Sequence, residues 1–453
     1  MTLLGKTARC LTEVTFESLP EEATSVVVRS LIDTIGVTLL GSHEKASRIL
    51  QETYRGCPGD SVVIGAGFRT NSEFAALING VSSHLHDLDD TGASTQGHPS
   101  VSVLPALWAL TAKRPCSGRR FITAYTVGVE LFSRLSRSMP MLHLKGWHPT
   151  AVLGTMASAA SCGIVLGLDE KAMSHALSIA ASMSSGLVGN FGTMTKPLHV
   201  GHSSRNGLIA AELANTGFEG SGRIFDGDDN FFKSFFWGEP QAFEKQLYQW
   251  GDPYALLSPG IGYKLYPCCA MSHRSIDVIL SLIEENDIQP KDVKSITCHG
   301  TPRARRILFY DRPSIGLEGK FCIPFLLACA VQYRRVTTDL FTDEIVSSDG
   351  IRDMMDRIIF SVHDDWVDGR DDWREDVVTI VLLNGAEISG QAEYPRGHAE
   401  LPFSLDTLYR KYCSCAAGVL SDGMIEESLK HMENLEELDD VNDILSIVIG
   451  ITA

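Results

Sequence analysis

Apolar residues recur at helical spacing along most of the chain. Leu19-Pro20-Glu21-Glu22-Ala23 puts proline and acids into a first turn, and Val26, Val27, Leu31, Ile32, Ile35 and Leu39 continue the stripe. A helix ending near Gly41 is expected. The same spacing predicts helices over Asn71–His86, Val101–Lys113, Gly118–Ser138, Thr150–Leu166 and Lys171–Leu187, with a short irregular part around Val62–Ile64. The last two helices are rich in alanine, glycine and serine, which lets helices approach closely. From about Lys264 the pattern changes. A helix carrying His273 and ending near Glu284 precedes four expected strands, Val293–Cys298, Arg357–His363, Val377–Leu383 and Glu387–Glu393, the last two a hairpin through Asn384-Gly385. Gly319–Gln332 reads as an apolar helix between them, and after Ser404 helices return over Leu405–Ala417 and Ile425–Leu438. The expected fold is mainly α with a smaller α+β domain: a helical part at 1–263, an α+β part at 264–400, and carboxyl-terminal helices at 401–453 that return to the first part.

Composition narrows the function. The chain has 453 residues, 39 basic and 56 acidic, with a formal charge of −17. Nucleic acid and anionic membrane surfaces need a basic face, so neither is an expected partner. Residues 1–21 hold no signal-peptide core and no apolar run approaches the ~20 residues of a membrane span, so a soluble, cytoplasmic protein is expected. Eleven cysteines in no repeating frame fit reduced thiols, several of them core residues.

The chemistry concentrates in polar stretches set between apolar elements. His84-Leu-His86-Asp87-Leu-Asp89-Asp90-Thr91, with His98-Pro99-Ser100 after it, is wedged between two buried helices, which is costly unless its groups are paired or used. His148 stands before a helix, where backbone N–H groups favour an anion. Gly189 to Gly207 carries Lys196, His199, His202 and Arg205, and Lys196 is expected in a glycine-flanked loop rather than on a solvated helix face. His273 follows the change of pattern. Together these groups suit proton transfer at a carbon beside a carboxylate, with Lys196 and Arg205 as carboxylate binders in an acidic protein. Blander readings stand beside this one. His84 and His86 fit helix-end histidines that cap carbonyls, Asp89 and Asp90 fit loop-holding carboxylates, and His199 and His202 fit ordinary packing histidines. A metal set of His84, His86, Asp87 and Asp90 lacks any zinc-like spacing. Gly189–Gly192 lacks both phosphate-loop spacings.

Four blocks carry a resemblance: His86-Asp87-Leu-Asp89-Asp90-Thr91 with His98-Pro99-Ser100; Gly146-Trp147-His148-Pro149; Met194-Thr195-Lys196-Pro197-Leu198-His199-Val-Gly201; and Lys264-Leu-Tyr266-Pro267-Cys268-Cys269 with His273. In this order they resemble the MmgE/PrpD family, which contains 2-methylcitrate dehydratase, cis-aconitate decarboxylase and an iminodisuccinate epimerase. The resemblance implies a large all-helical domain made from both chain ends, a smaller α+β lid domain, a homodimer, and neither metal nor organic cofactor. It also implies a cleft site in which Asp87, Thr91, His98, His148, Lys196 and His273 act on a di- or tricarboxylate, with His199, Arg205 and Phe325 near the substrate. Phe325 departs from the family, whose decarboxylase branch has a tyrosine there. Asp89-Asp90-Thr91-Gly92 departs from the Asn-Asp-Thr-Trp of the dehydratase branch.

The leading expectation is a cofactor-independent lyase, a decarboxylase or dehydratase. An isomerase or epimerase would use the same residues for proton abstraction. A non-catalytic binding paralogue is the third reading, and Phe325 is its main support.

Overall fold

The computed structural model describes residues 1–92, 96–236, 238–363 and 375–450. Residues 93–95 of the polar stretch and 451–453 of the expected carboxyl-terminal part lie outside these. The first half of the chain is built from helices α1 (Leu3–Thr12), α2 (Glu21–Ser42), α3 (Lys45–Tyr54), α4 (Ser72–His84), α5 (Ser100–Thr111), α6 (Gly118–Ser138), α7 (Pro149–Leu166), α8 (Glu170–Met183) and α9 (Thr195–Asn215). Several begin where the sequence supplies a cap: the side chains of Asn71, Ser117 and Asp169 accept from the backbone N–H of Phe74, Arg120 and Ala172. The small residues have a packing reason. A Cβ on Gly80 of α4 would fall 2.8 Å from the Gly201 Cα of α9, so these helices meet backbone to backbone.

Two helices overturn the expectation that no apolar run reaches membrane length: α2, with 22 residues, and α7, with 18, are long and apolar enough to span one. Their apolar windows are 67% and 89% buried inside the fold, as in core helices that are covered by protein.

The apolar interior falls into two large clusters. One gathers side chains from α1 to α9 together with Leu408, Tyr412 and Met432 of the late helices Leu405–Ala416 and Asp422–Glu433. The other joins Ile276 and Ile279 of helix His273–Glu285 to Ile296, Phe325, Val378 and Ile380 around a four-stranded sheet. The strands run in the spatial order Ile358–Val362, Val293–Gly300, Asp376–Leu382, Glu387–Ala392, the first pair parallel and the others antiparallel. In the hairpin only Gly385 takes a positive φ, +87°. The mainly helical class with small sheets is the one expected.

Several elements differ from the sequence reading. Short helices α1 and α3 were not foreseen. The expected helix Gly319–Gln332 divides into Gly316–Gly319 and Ile323–Tyr333, with Pro324 in the first turn of the second, where its missing N–H costs nothing. Most important, α9 begins at Thr195 instead of after Gly207. Pro197 sits in its first turn, and Gly201 and Gly207 serve close packing rather than a loop.

Candidate active site

After α4 the chain turns sharply, and Asp87 takes φ +53°, a left-handed conformation that aspartate tolerates better than most residues. Its buried carboxylate meets two lysines. Lys196 Nζ lies 2.5 Å from Oδ2, and Lys264 Nζ donates to Oδ1, to the Asp87 carbonyl at 2.8 Å and to the Cys268 carbonyl at 3.2 Å. A third buried lysine, Lys320, donates to the carbonyls of His86 (2.8 Å) and Pro267 (3.2 Å). Burial would push the Asp87 carboxyl up, but Lys196 and Lys264 outweigh it and hold the group well below the usual carboxylate range. Burial pushes the Lys320 ammonium down to about 8. Two lysines on one carboxylate, with a third bound to the carbonyl of the preceding residue, give this acidic protein a local excess of positive charge, suited to an anionic ligand.

Histidines surround that centre. His98 Nδ1 lies 3.0 Å from Asp89 Oδ2 and 2.8 Å from the Asp90 carbonyl, while its Nε2 is 3.8 Å from Asp87 Oδ1. His84 Nδ1 reaches the same Asp89 Oδ2 at 2.9 Å. His148 occupies the position before α7, its Nδ1 3.3 Å from that of His199, and burial holds it well below the usual histidine range. His273 opens its helix with Nε2 3.2 Å from the Cys268 carbonyl, and burial lowers it to about 3. Asp87, Thr91, His98, His148, Lys196 and His273 all line one cavity of about 150 Å³. Behind it, Ser100 bonds both Asp90 and the Tyr125 hydroxyl, and Lys411 Nζ, 2.6 Å from Asp33, donates to the Leu88 carbonyl at 2.8 Å.

Three expected substrate contacts do not reach this cavity. His199 stands behind His148. Arg205 lies 3.6 Å from Glu73 with its guanidinium over the Phe74 ring. It follows Lys196 by about two and a half helical turns and so leaves the opposite face of α9. Phe325 is fully buried in the second apolar cluster, its ring centroid 5.7 Å from that of Phe341. The missing hydroxyl is therefore missing from a core, and the main support for a non-catalytic paralogue goes with it. Phe325→Tyr is expected to lower stability by about 1–3 kcal/mol by burying an unpaired hydroxyl. It should leave turnover unchanged, which urea unfolding and an activity assay on the same sample would check.

Of the blander readings, packing fits His199, which stands against His148, while helix capping and loop holding do not account for His84, His86 and Asp89. His84 and His86 contact Asp89 and Glu44, not helix carbonyls, and Asp89 receives two imidazoles rather than merely holding the loop. The candidate metal quartet is dispersed: His86 faces Glu44, Asp87 the lysines and Asp90 Ser100. Among the described residues His84, Asp89 and His98 do offer ligand atoms within 4.8 Å of one another, but both Nδ1 atoms already sit at hydrogen-bond distance from the carboxylate.

Sequence reasoning missed several residues at the site. Lys264 and Arg274 line the cavity, each beside a residue the sequence did single out, as do Arg303 and Arg396, for which the sequence holds no signal. Arg274 is backed by Asp376 at 2.9 Å, and Arg396 by Asp277 at 2.8 Å.

Comparison with known proteins places this geometry. Residues 5–244 match the MmgE/PrpD N-terminal domain and residues 266–437 the MmgE/PrpD C-terminal domain. A cis-aconitate decarboxylase of Homo sapiens is 27% identical, over 93% of this chain and 89% of that protein. One of Aspergillus terreus is 25% identical, over 86% and 84% of the two chains. A cis-aconitate decarboxylase-like protein of Aspergillus oryzae is 24% identical, over 97% and 96%. Both halves of the chain match in order, and the chain belongs to the MmgE/PrpD family.

Proposed function

We propose that the cavity is the active site of a carboxylic-acid lyase acting beside a carboxylate of a di- or tricarboxylate, without a cofactor. The observation that carries this is the meeting of Lys196 and Lys264 with His98, His148 and His273 in one cavity of a chain of charge −17. The similarity to cis-aconitate decarboxylases favours decarboxylation over dehydration. The lysines hold substrate carboxylates, and the N-terminal end of α7 beside His148 adds its dipole. His98 gives or takes the proton at carbon. In decarboxylation the carbon–carboxylate bond breaks, its electron pair stays on the substrate, and a proton from an imidazole quenches it as CO2 leaves. In dehydration a base removes a proton from carbon while an acid protonates the departing hydroxyl. Both need groups of this kind at the same place.

Proton NMR of the protein in D2O with cis-aconitate, citrate, 2-methylcitrate and related dicarboxylates tests the proposal, with Lys196→Ala as control. The expected result is loss of CO2 or water from one substrate, absent from the control. Deuterium exchange or isomer formation without either loss would replace the lyase by an isomerase. Turnover by the control equal to that of the unaltered protein would remove Lys196 from the site.

A further inference from the structure

Asp89 is placed where no solvent reaches it, with its side chain fully buried and one carboxylate oxygen shared by two imidazoles, His98 Nδ1 at 3.0 Å and His84 Nδ1 at 2.9 Å. His98 Nδ1 has a second neighbour, the Asp90 carbonyl at 2.8 Å. A carbonyl can only accept, and so can an ionised carboxylate. Burial alone would push the Asp89 carboxyl up, yet His84 and His98 hold it well below the usual range. A bare Nδ1 lone pair on His98 would therefore face two oxygens with no hydrogen between them, an arrangement that repels. The stable arrangement puts the proton on Nδ1 and the lone pair on Nε2, and His98 lines the cavity. The same argument applies to His84, whose Nδ1 faces both Asp89 oxygens.

We propose that Asp89 is a positioning residue for this site: it holds the Nδ1 proton of His98, so that Nε2 is the nitrogen that takes a proton from substrate when bare and gives one when His98 is the imidazolium, and it uses His84 as a second strut. The proposal rests on reading the cavity as an active site. It adds a residue that touches no substrate and acts through His98, in the way that a carboxylate behind an imidazole sets its tautomer in other enzymes. His84 holds the same carboxylate, its ring centroid 4.8 Å from that of His98, so that Asp89 cannot turn without breaking a second buried bond.

Asp89→Asn separates this from a merely structural role. Asparagine keeps the shape and one accepting oxygen but carries no charge, so it holds the two imidazole protons less strongly, and an NH2 in place of Oδ1 would face His84 Nδ1–H, 3.1 Å away. Nitrogen-15 histidine NMR, with His98→Gln used to assign the signal, is expected to show His98 protonated at Nδ1 and bare at Nε2 in the unaltered protein. In Asp89→Asn a population protonated at Nε2 is expected to grow. With the substrate found by the panel, kcat should fall about 100-fold while KM stays within about threefold, since Lys196 and Lys264, which hold the substrate carboxylates, are not altered. The NMR signature needs no turnover. If no carboxylate in the panel reacts, the reading of the cavity fails while the tautomer still decides the role of Asp89. A His98 protonated at Nε2 and bare at Nδ1 in the unaltered protein would overturn the proposal even if the variant did not fold. So would an Asp89→Asn protein with the same tautomer and the same kcat.

Discussion

Asp87→Asn is expected to cost the fold about 3–5 kcal/mol, the loss seen when one partner of a buried ion pair is removed and the other charge is left alone. Here two charges are left. Lys196 and Lys264 both end on this carboxylate, and Lys320 lies just behind it, donating to the carbonyl of the preceding residue. Asparagine would fill the space but return no negative charge. The repulsion among ammonium groups in a buried site would then be relieved by taking up an anion, by shedding a proton, or by opening. Urea unfolding should show a clearly lower midpoint for the variant. Acetate should restore part of the loss in the variant and do much less for the unaltered protein, where Asp87 already supplies a carboxylate to the lysines. Equal midpoints would mean that the lysines do not depend on Asp87.

The second large effect is acid sensitivity. His84, His86, His148 and His273 are buried, and burial lowers the first two and the last to about 4, about 3 and about 3, and His148 well below its usual value. In the unfolded chain these imidazoles take up protons near pH 6.5. Between that pH and their folded values the unfolded state binds more protons, so stability is full above about 6.5 and falls as the pH is lowered. Each contributes a loss of about 2 kcal/mol by pH 5. Burial also lowers His143 and His199 to about 4, and these act in the same sense. Asp90, Asp33 and Asp376 work in the opposite sense, because burial raises their carboxyls, Asp90 well above the usual range. Six imidazoles against three carboxyls leave a net loss of stability between pH 7 and pH 5, measured as the unfolding free energy in urea at each pH. Below pH 4 the depressed carboxylates Asp87 and Asp89 add to the loss. A stability that stayed level or rose from pH 7 to pH 5 would show that the imidazoles are charged or solvated in the fold.

Much of this architecture could be read in advance because its signals are local. The 3.6-residue stripes gave α2, α5, α6 and α7 nearly to the residue, and β-branched runs gave the four strands. The stretch from Lys196 to Gly207 misled because proline and two glycines look like loop residues, whereas one sits in a first turn and the others at helix crossings. Six expected catalytic residues line one cavity, since histidine, lysine and aspartate between apolar helices are conspicuous in any sequence. Arg205 and Phe325 failed for a different reason. Which face of a helix meets the cavity depends on where that helix begins and on what it packs against, and neither is written in spacing alone. Lys264 and Asp89 stand in the quoted blocks but carry no site role in the sequence reading, because their partners lie in other segments or in a loop whose path is set by tertiary contacts.

The short stretch from His84 to Ser100 is held in shape by residues far along the chain. Lys264 grips Asp87 from 177 positions away, Lys320 grips His86 from 234, and Lys411 grips Leu88 from 323. Such contacts close the longest loops and form late, after the local helices around them. During synthesis the amino-terminal helices emerge first, and their central loop must wait for nearly the whole chain before its charges are balanced. A polypeptide cut short of Lys411 would lose none of the cavity-lining side chains and still lack the last tether that shapes them. Order at this site thus depends on a lysine 323 positions further along the chain.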